Sequence, residues 1–267
     1  MLVGHWRVVA FRPERSEPAI QLQSRARFAC LCALHLLIDK SCFMVPPLRI
    51  LVFLGSVRDS APPRPARLGQ RVACALMRHL SEQKNLAGEL VDTMEFPTYP
   101  TFKPHFAHAP GTAPLELEAL ATKIKEADGY IMVTPEYNHS MSPALANLLN
   151  HFGSSLFSFK PSAIVTYSAG QWGGTRAAVS ARTFLSELGC LPVSAMIHIP
   201  KAQEVLASDG SFLQGIPMEK WHKYWMRSLG QLQWWANAAK HQRDVQPFLS
   251  ASEPFLNTPS ARNAPSS

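Results

Sequence analysis

The chain has 267 residues, 46% of them hydrophobic and 17% charged, with a net charge of +7. That is enough for one domain with a substantial core and some residues left over at the ends. Six of the 26 Lys/Arg and three of the 19 Asp/Glu precede Leu48, leaving a net +4 afterwards with no dense basic stripe; this speaks against a nucleic-acid partner and suits small anionic ligands such as phosphates.

The first 47 residues contain one apolar run, Phe28 to Ile38, of 11 residues, too short to cross a bilayer as a helix. Arg25 and Arg27 ahead of it give it the look of a targeting segment, but Asp39-Lys40 follows directly and no small-x-small cleavage site appears. Glu14 and Glu17 also count against a transit peptide. An α/β domain begins naturally at Met44-Val-Pro-Pro, so residues 1–47 are read as a dispensable extension and 48–246 as the domain. Residues 247–267, rich in Pro, Ser and Asn, are read as a disordered tail. The five cysteines, at 30, 32, 42, 74 and 190, form no Cys-x-x-Cys pair and fit a reducing compartment, hence a cytoplasmic protein without a membrane partner.

Leu48 to Leu54 is apolar apart from Arg49 and predicts a first buried strand. It opens into Gly55-Ser56-Val57-Arg58, and Arg67-Leu68-Gly69 then enters a helix running to about Lys84. Serine hydroxyls, backbone amides and arginine ahead of a helix N-terminus are what a terminal phosphate requires. Gly88 to Met94 predicts a second strand. Residues 95–114 hold five prolines and the pair His105 and His108, which a proline-flanked loop does not hold on one face for a metal; a solvated loop is expected. Pro114 to Ala127 has helical apolar spacing.

Tyr130 to Val133 predicts a central strand, broken by Pro135 and a turn at Asn138. Ser142-Pro143 reads as an N-cap followed by proline at the first helical position, opening a helix to about Phe152. Lys160 to Tyr167 predicts a fourth strand, followed by the glycine-rich Ser168-Ala169-Gly170-Gln171-Trp172-Gly173-Gly174 and a helix. Ser168 sits in a sequence like a hydrolase elbow, with His198 or His222 as the base it would need, but Thr166 occupies the first glycine position. Leu191 to Ile199 predicts a fifth strand. A last helix, Pro217 to about Gln242, carries Trp221 and Trp225 on one face, expected to be buried against the domain itself or to form a dimer face.

Five strands alternating with helices argue a three-layer α/β sandwich with a five-stranded parallel sheet of order 2-1-3-4-5. The loops after strands one, three and four then converge on one sheet edge.

Three stretches in those loops carry a resemblance. Thr134-Pro135-Glu136-Tyr137-Asn138, the Gly55–Arg58 loop with Arg67 and Gly69, and Ser168 to Gly174 resemble the flavin-binding loops of the NADPH-dependent FMN reductase family. The likeness covers roughly residues 48–200 and implies a flavodoxin-like fold. It implies FMN as cofactor and NADPH or NADH as electron donor. The expected activity is a ping-pong hydride relay to a small acceptor such as a flavin or quinone, in a homodimer. Gly55, Ser56, Arg58, Arg67 and Gly69 are then expected around the phosphate, Pro135, Glu136, Tyr137 and Asn138 along one ring edge, and Ser168, Ala169, Gly170, Gly173 and Gly174 along the other. No catalytic side chain and no metal ligand is assigned; Glu136 and His139 are conceivable proton donors, with a structural role favoured by their turn position. The chain departs from the family pattern in Ala61 to Ala66, six extra residues within the phosphate loop. The rival reading is a non-catalytic flavin-binding or electron-carrier module, against which the mild positive charge argues.

Overall fold

The computed structural model describes residues 46–58, 67–97 and 101–245. The predicted extension up to residue 45, the 61–66 insertion and the 247–267 tail lie outside the described residues. In chain order the elements are β1 (Leu48–Leu54), α1 (Leu68–Ser81), β2 (Leu86–Asp92), α2 (Leu115–Glu126), β3 (Gly129–Pro135), α3 (Pro143–Asn150) and α4 (Ser154–Phe157). They continue with β4 (Pro161–Tyr167), α5 (Thr175–Glu187), β5 (Leu191–Pro192), β6 (Ile197–Ile199), α6 (Ala202–Val205) and α7 (Met218–Val245).

The strands pair in parallel in the order β2-β1-β3-β4-β5, as the alternation of strands and helices predicts; β6, not expected as a separate strand, also pairs with β4. Parallel strands covered on both faces favour apolar side chains along their length; all seven residues of β3 and of β4 are buried, with Thr134, Ser162 and Thr166 as polar exceptions. Ile50, Val52 and Leu54 share one core with α1 and α7, whereas Leu51 and Phe53 belong to a second with α2, α3 and α5. The period of two along β1 thus divides the helices between the two faces.

Several predicted boundaries differ from the observed ones by a few residues, and two of the differences have a clear physical cause. Pro135 does not break β3 but ends it, paired with Tyr167 of β4. Val133 turns its carbonyl toward Gly55. Pro135, two residues on, faces the same side, beyond the end of β1 at Leu54, so its missing N–H costs no ladder bond. The fifth strand is interrupted between Pro192 and Ile197. There the Arg182 guanidinium donates to the carbonyls of Pro192, Val193 and Ser194, while Gln231 accepts from Ser194 and Ala195. Side chains from α5 and α7 therefore replace the ladder.

Trp225 is fully buried and Trp221 packs beside it, so that stripe faces the domain itself; Trp234 and Trp235 remain exposed. His105 lies on a short 3-10 turn and meets Glu118 Oε2 at 3.1 Å, which makes it a half-buried partner of α2 and not a solvated loop residue. Among the described residues no group of three His, Cys, Asp or Glu is placed to hold a metal ion, and no helix is long and apolar enough to cross a membrane.

Candidate functional site

β1 ends opposite Val133, and β3 ends opposite Tyr167 at the end of β4. The loops that leave these strands therefore share the carboxyl edge of the sheet, where open α/β sheets take ligands. Gly55 joins two of them: its amide donates to Val133 O at 2.8 Å, and a Cβ there would lie 2.6 Å from Leu145 Cβ of α3. Only glycine lets the first loop pass beneath that helix.

The first loop divides its two arginines. Arg67 is buried, donates to Asp92 through NH1 at 2.6 Å and NH2 at 2.8 Å, and reaches Ser56 Oγ through Nε at 3.2 Å. Ser56 is buried too and also bonds the Tyr167 hydroxyl, whose pKa burial drives well above the ordinary tyrosine value. A Cβ on Gly69 would lie 2.4 Å from that hydroxyl. Tyr167, Ser56, Arg67 and Asp92 thus form one buried network under the helix start, with the Arg67 charge offset by Asp92. Arg58 is different: it is exposed, lies over the Tyr137 ring at 6.0 Å, and has no ion pair among the described residues. At the start of α1 the Leu68 and Gly69 amides meet no acceptor among the described residues, whereas Gln70 N already donates to Arg67 O at 3.1 Å, and Arg67 places no side-chain cap there.

The loop after β3 is a tight reversal. Tyr137 and Ser140 exchange backbone bonds of 3.0 and 2.9 Å around Asn138 and His139, both in the left-handed region. Ser142 caps α3 as predicted, accepting from the Ala144 amide at 3.3 Å. Glu136 points across to α5: it accepts from Arg176 Nε at 2.8 Å and from the Arg176 amide at 3.2 Å. Since the Gly174 N-cap has no side chain, this carboxylate caps α5 from the neighbouring loop.

The glycine-rich loop after β4 is held from within. Ser168 Oγ donates to Gly170 O at 2.8 Å and accepts from Gly173 N at 2.9 Å. Thr166 Oγ1 donates to Gly173 O at 2.7 Å, so its lone pair accepts from His198 Nδ1, also at 2.7 Å. That chain fixes His198 with its proton on Nδ1. It also disposes of the hydrolase reading: Ser168 is tied to its own loop, His198 is tied to Thr166, and His222 packs at a tilt against His79, 5.1 Å between ring centroids. Gly173 and Gly174 adopt φ of +60° and +78°. The amides of Ala169, Gly170 and Gln171 meet no protein acceptor among the described residues, and all three residues are exposed.

Burial lowers the pKa of His79, His151 and His198, with His222 adding to the effect at His79. The unfolded chain then binds protons more readily than the fold as pH drops below the ordinary value of 6.5, so stability is full above that pH and lost below it. Thermal melts between pH 7.5 and about 5 should show a falling Tm, and His79→Gln with His151→Gln should flatten the slope. A Tm that rises on acidification would overturn this.

Of the residues assigned from sequence, Ser56 and Arg67 meet directly, Arg58 meets Tyr137, and Gly173 meets Ser168. Gly55 and Gly69 serve backbone packing. Sequence reasoning missed Asp92, the pairing of Glu136 with Arg176, and the role of Thr166 and His198. Parallel register holds the signal for the first, since Asp92 pairs with Leu54, two residues before Ser56.

The family model described as NADPH-dependent FMN reductase matches residues 48–204. Over 65 residues the chain is 45% identical to an NADPH azoreductase of Bacillus sp. (strain OY1-2), covering 23% of this chain and 36% of that protein. Over 126 residues it is 32% identical to an NAD(P)H-dependent FMN reductase of Pseudomonas aeruginosa, covering 46% of this chain and 66% of that one. These two alignments therefore span between about a third and two thirds of the relatives' own length. FerB, a flavoenzyme NAD(P)H:(acceptor) oxidoreductase from Paracoccus denitrificans, superposes with a TM-score of 0.51 at 23% identity, over 72% of this chain and 94% of that chain, a likeness of fold. The family match runs from β1 into α6 and takes in all three loops at the sheet edge, more than half of the chain: it belongs to the NADPH-dependent FMN reductase family.

Proposed function

We propose that this protein is an FMN-dependent oxidoreductase that passes hydride from NAD(P)H to a small acceptor by a ping-pong mechanism. The observation that carries the reading is the convergence of three family loops on one sheet edge with donors to spare. Arg58 and the Leu68 and Gly69 amides at the start of α1 suit a phosphate dianion, and the exposed amides of Ala169, Gly170 and Gln171 suit carbonyl oxygens on a ring edge. The donor set therefore fits FMN. When bound, that cofactor supplies the hydride chemistry, accepting from a nicotinamide and giving to the acceptor in separate half-reactions.

The protein's part is to bind and to position. Arg58 and the α1 start hold the phosphate; Arg67, neutralised by Asp92, keeps Ser56 and Tyr167 in place beneath it. The Pro135–Asn138 reversal offers backbone to one ring edge, and Glu136 locks that reversal to α5. The Ser168–Gly174 loop, pinned at both the amide and the carbonyl of Gly173, offers a rigid backbone to the other. Among the described residues of the three loops no side chain is placed as a general acid or base. The proposal includes a cytoplasmic homodimer: the free thiols of Cys74 and Cys190 fit a reducing compartment, and the exposed pair Trp234 and Trp235 offers an aromatic surface.

Reconstitution with FMN should give a yellow protein that NADPH bleaches under anaerobiosis and a quinone restores. Colour without bleaching would favour the electron-carrier reading, and no colour would end both. FMN should bind about 2–3 kcal/mol more tightly than riboflavin, through charge-assisted bonds and the helix terminus. Equal stabilisation by the two, read as ΔTm, would show that the cradle does not hold a phosphate.

A further inference from the structure

Where α7 packs against the far end of α1, three side chains meet that the sheet-edge site does not use. His79, in the last turn of α1, is only 5% exposed, yet its imidazole has no better hydrogen-bond partner among the described residues than a thioether. Its Nε2 lies 3.4 Å from Met226 Sδ, and its Nδ1 has no partner. Sulfur is a weak acceptor, so either tautomer leaves a buried ring nitrogen poorly satisfied. His222 completes the group, its ring centroid 5.1 Å from that of His79 and tilted by 51°. His222 and Met226 stand four residues apart on α7, and so on one face of it.

These separations match those of ligands that share one ion. With bonds of about 2.0 Å to nitrogen and about 2.3 Å to sulfur, a tetrahedral angle spans about 3.5 Å from N to S. Two imidazoles on the same ion have centroids about 5 Å apart. The ligand types set the metal class, since imidazole and thioether without thiolate or carboxylate favour a soft monovalent ion over a hard divalent one. Burial lowers the pKa of His79, which leaves a neutral ring with a lone pair to give, and the charge of Glu82, the C-cap of α1, acts on it. Met226 is 37% exposed and His222 half-buried, which leaves an entry path from water.

We propose that His79, His222 and Met226 form a binding site for Cu(I) that staples α7 to α1. The site is independent of the oxidoreductase reading. It shares no residue with the three loops, and His79 lies about 16 Å along α1 from the start of that helix. The ion is held by its ligands alone, and no electron changes hands.

Cys30, Cys32, Cys42 and Cys74 are soft ligands too, so the test uses the full chain with those four replaced by serine. Cu(I) affinity is measured anaerobically by competition with bicinchoninate, in that background and with Met226→Leu or His222→Gln added. The background should bind one Cu(I), and free ion at about a hundred times Kd should raise Tm by about 5–10 °C. Each added substitution should weaken binding about tenfold or more while leaving the metal-free Tm within about 2 °C. Zn(II) should bind about a hundredfold more weakly than Cu(I), and FMN affinity should agree within about twofold with and without copper. A background protein that binds no Cu(I), or a Met226→Leu variant that binds it undiminished, overturns the proposal. So does Zn(II) bound as tightly as Cu(I), which would require a harder ligand set. Copper that displaces FMN overturns it as well, because the ion would then sit at the sheet edge.

Discussion

Replacing Gly173 by valine should abolish flavin binding and destabilise the fold by about 3 kcal/mol or more. The residue adopts φ +60°, a region that β-branched side chains avoid. A Cβ built there lies 3.0 Å from Pro200 N and 3.3 Å from both His198 Cβ and the Ile199 carbonyl carbon. Two of those neighbours are backbone, so relief requires the loop to move. Movement would break the bond from Gly173 N to Ser168 Oγ and the one from Thr166 Oγ1 to Gly173 O, and with the latter the Thr166–His198 pairing. Glu136→Gln should cost less: it weakens one ion pair whose arginine side chain is 46% exposed, worth about 1 kcal/mol. The measurements are FMN titration and denaturant melts of both variants. If Glu136→Gln lost more flavin affinity than Gly173→Val, recognition would rest on a carboxylate and not on backbone shape.

This contrast shows which features the sequence makes legible. Central strands announce themselves as short, mostly apolar runs, because burial on both faces tolerates a polar residue only where it finds a partner, as Thr166 does. The α3 start was readable in Ser142-Pro143 because capping is local chemistry, settled within two residues. The broken fifth strand was not. Its interruption depends on Arg182 and Gln231, from helices on either side, reaching carbonyls and amides that a regular ladder would have used. The same distinction runs through the site. Glycines with positive φ were visible as a Gly-Gly pair, but Glu136 and Arg176, forty residues apart, meet only because β3 and β4 end side by side.

The two cradle arginines should separate experimentally, and the effects are large. Arg67→Met leaves Asp92, with its side chain 16% exposed, facing no counter-charge, and removes the Nε bond to Ser56. Breaking a buried pair from one side costs about 3–5 kcal/mol, slightly less here because Asp92 keeps some contact with water. Asp92→Asn should destabilise as well, since it removes the carboxylate charge facing a guanidinium that is 4% exposed. Removing both charges together, as Arg67→Met with Asp92→Leu, should recover much of the loss, because the uncompensated charge is what costs most. Arg58→Ala is the opposite case. Its guanidinium has no ion pair among the described residues, so stability should change by less than about 0.5 kcal/mol. Its contribution to holding a phosphate should vanish, cutting the preference for FMN over riboflavin to the roughly 1 kcal/mol that a helix terminus supplies alone. Urea melts and paired titrations with FMN and riboflavin read the two quantities independently. Should Arg67→Met keep its stability yet lose the FMN preference, then Arg67 leaves Asp92 for the phosphate on binding. The buried Tyr167–Ser56–Arg67–Asp92 network would then be a resting arrangement of the cradle and not its foundation.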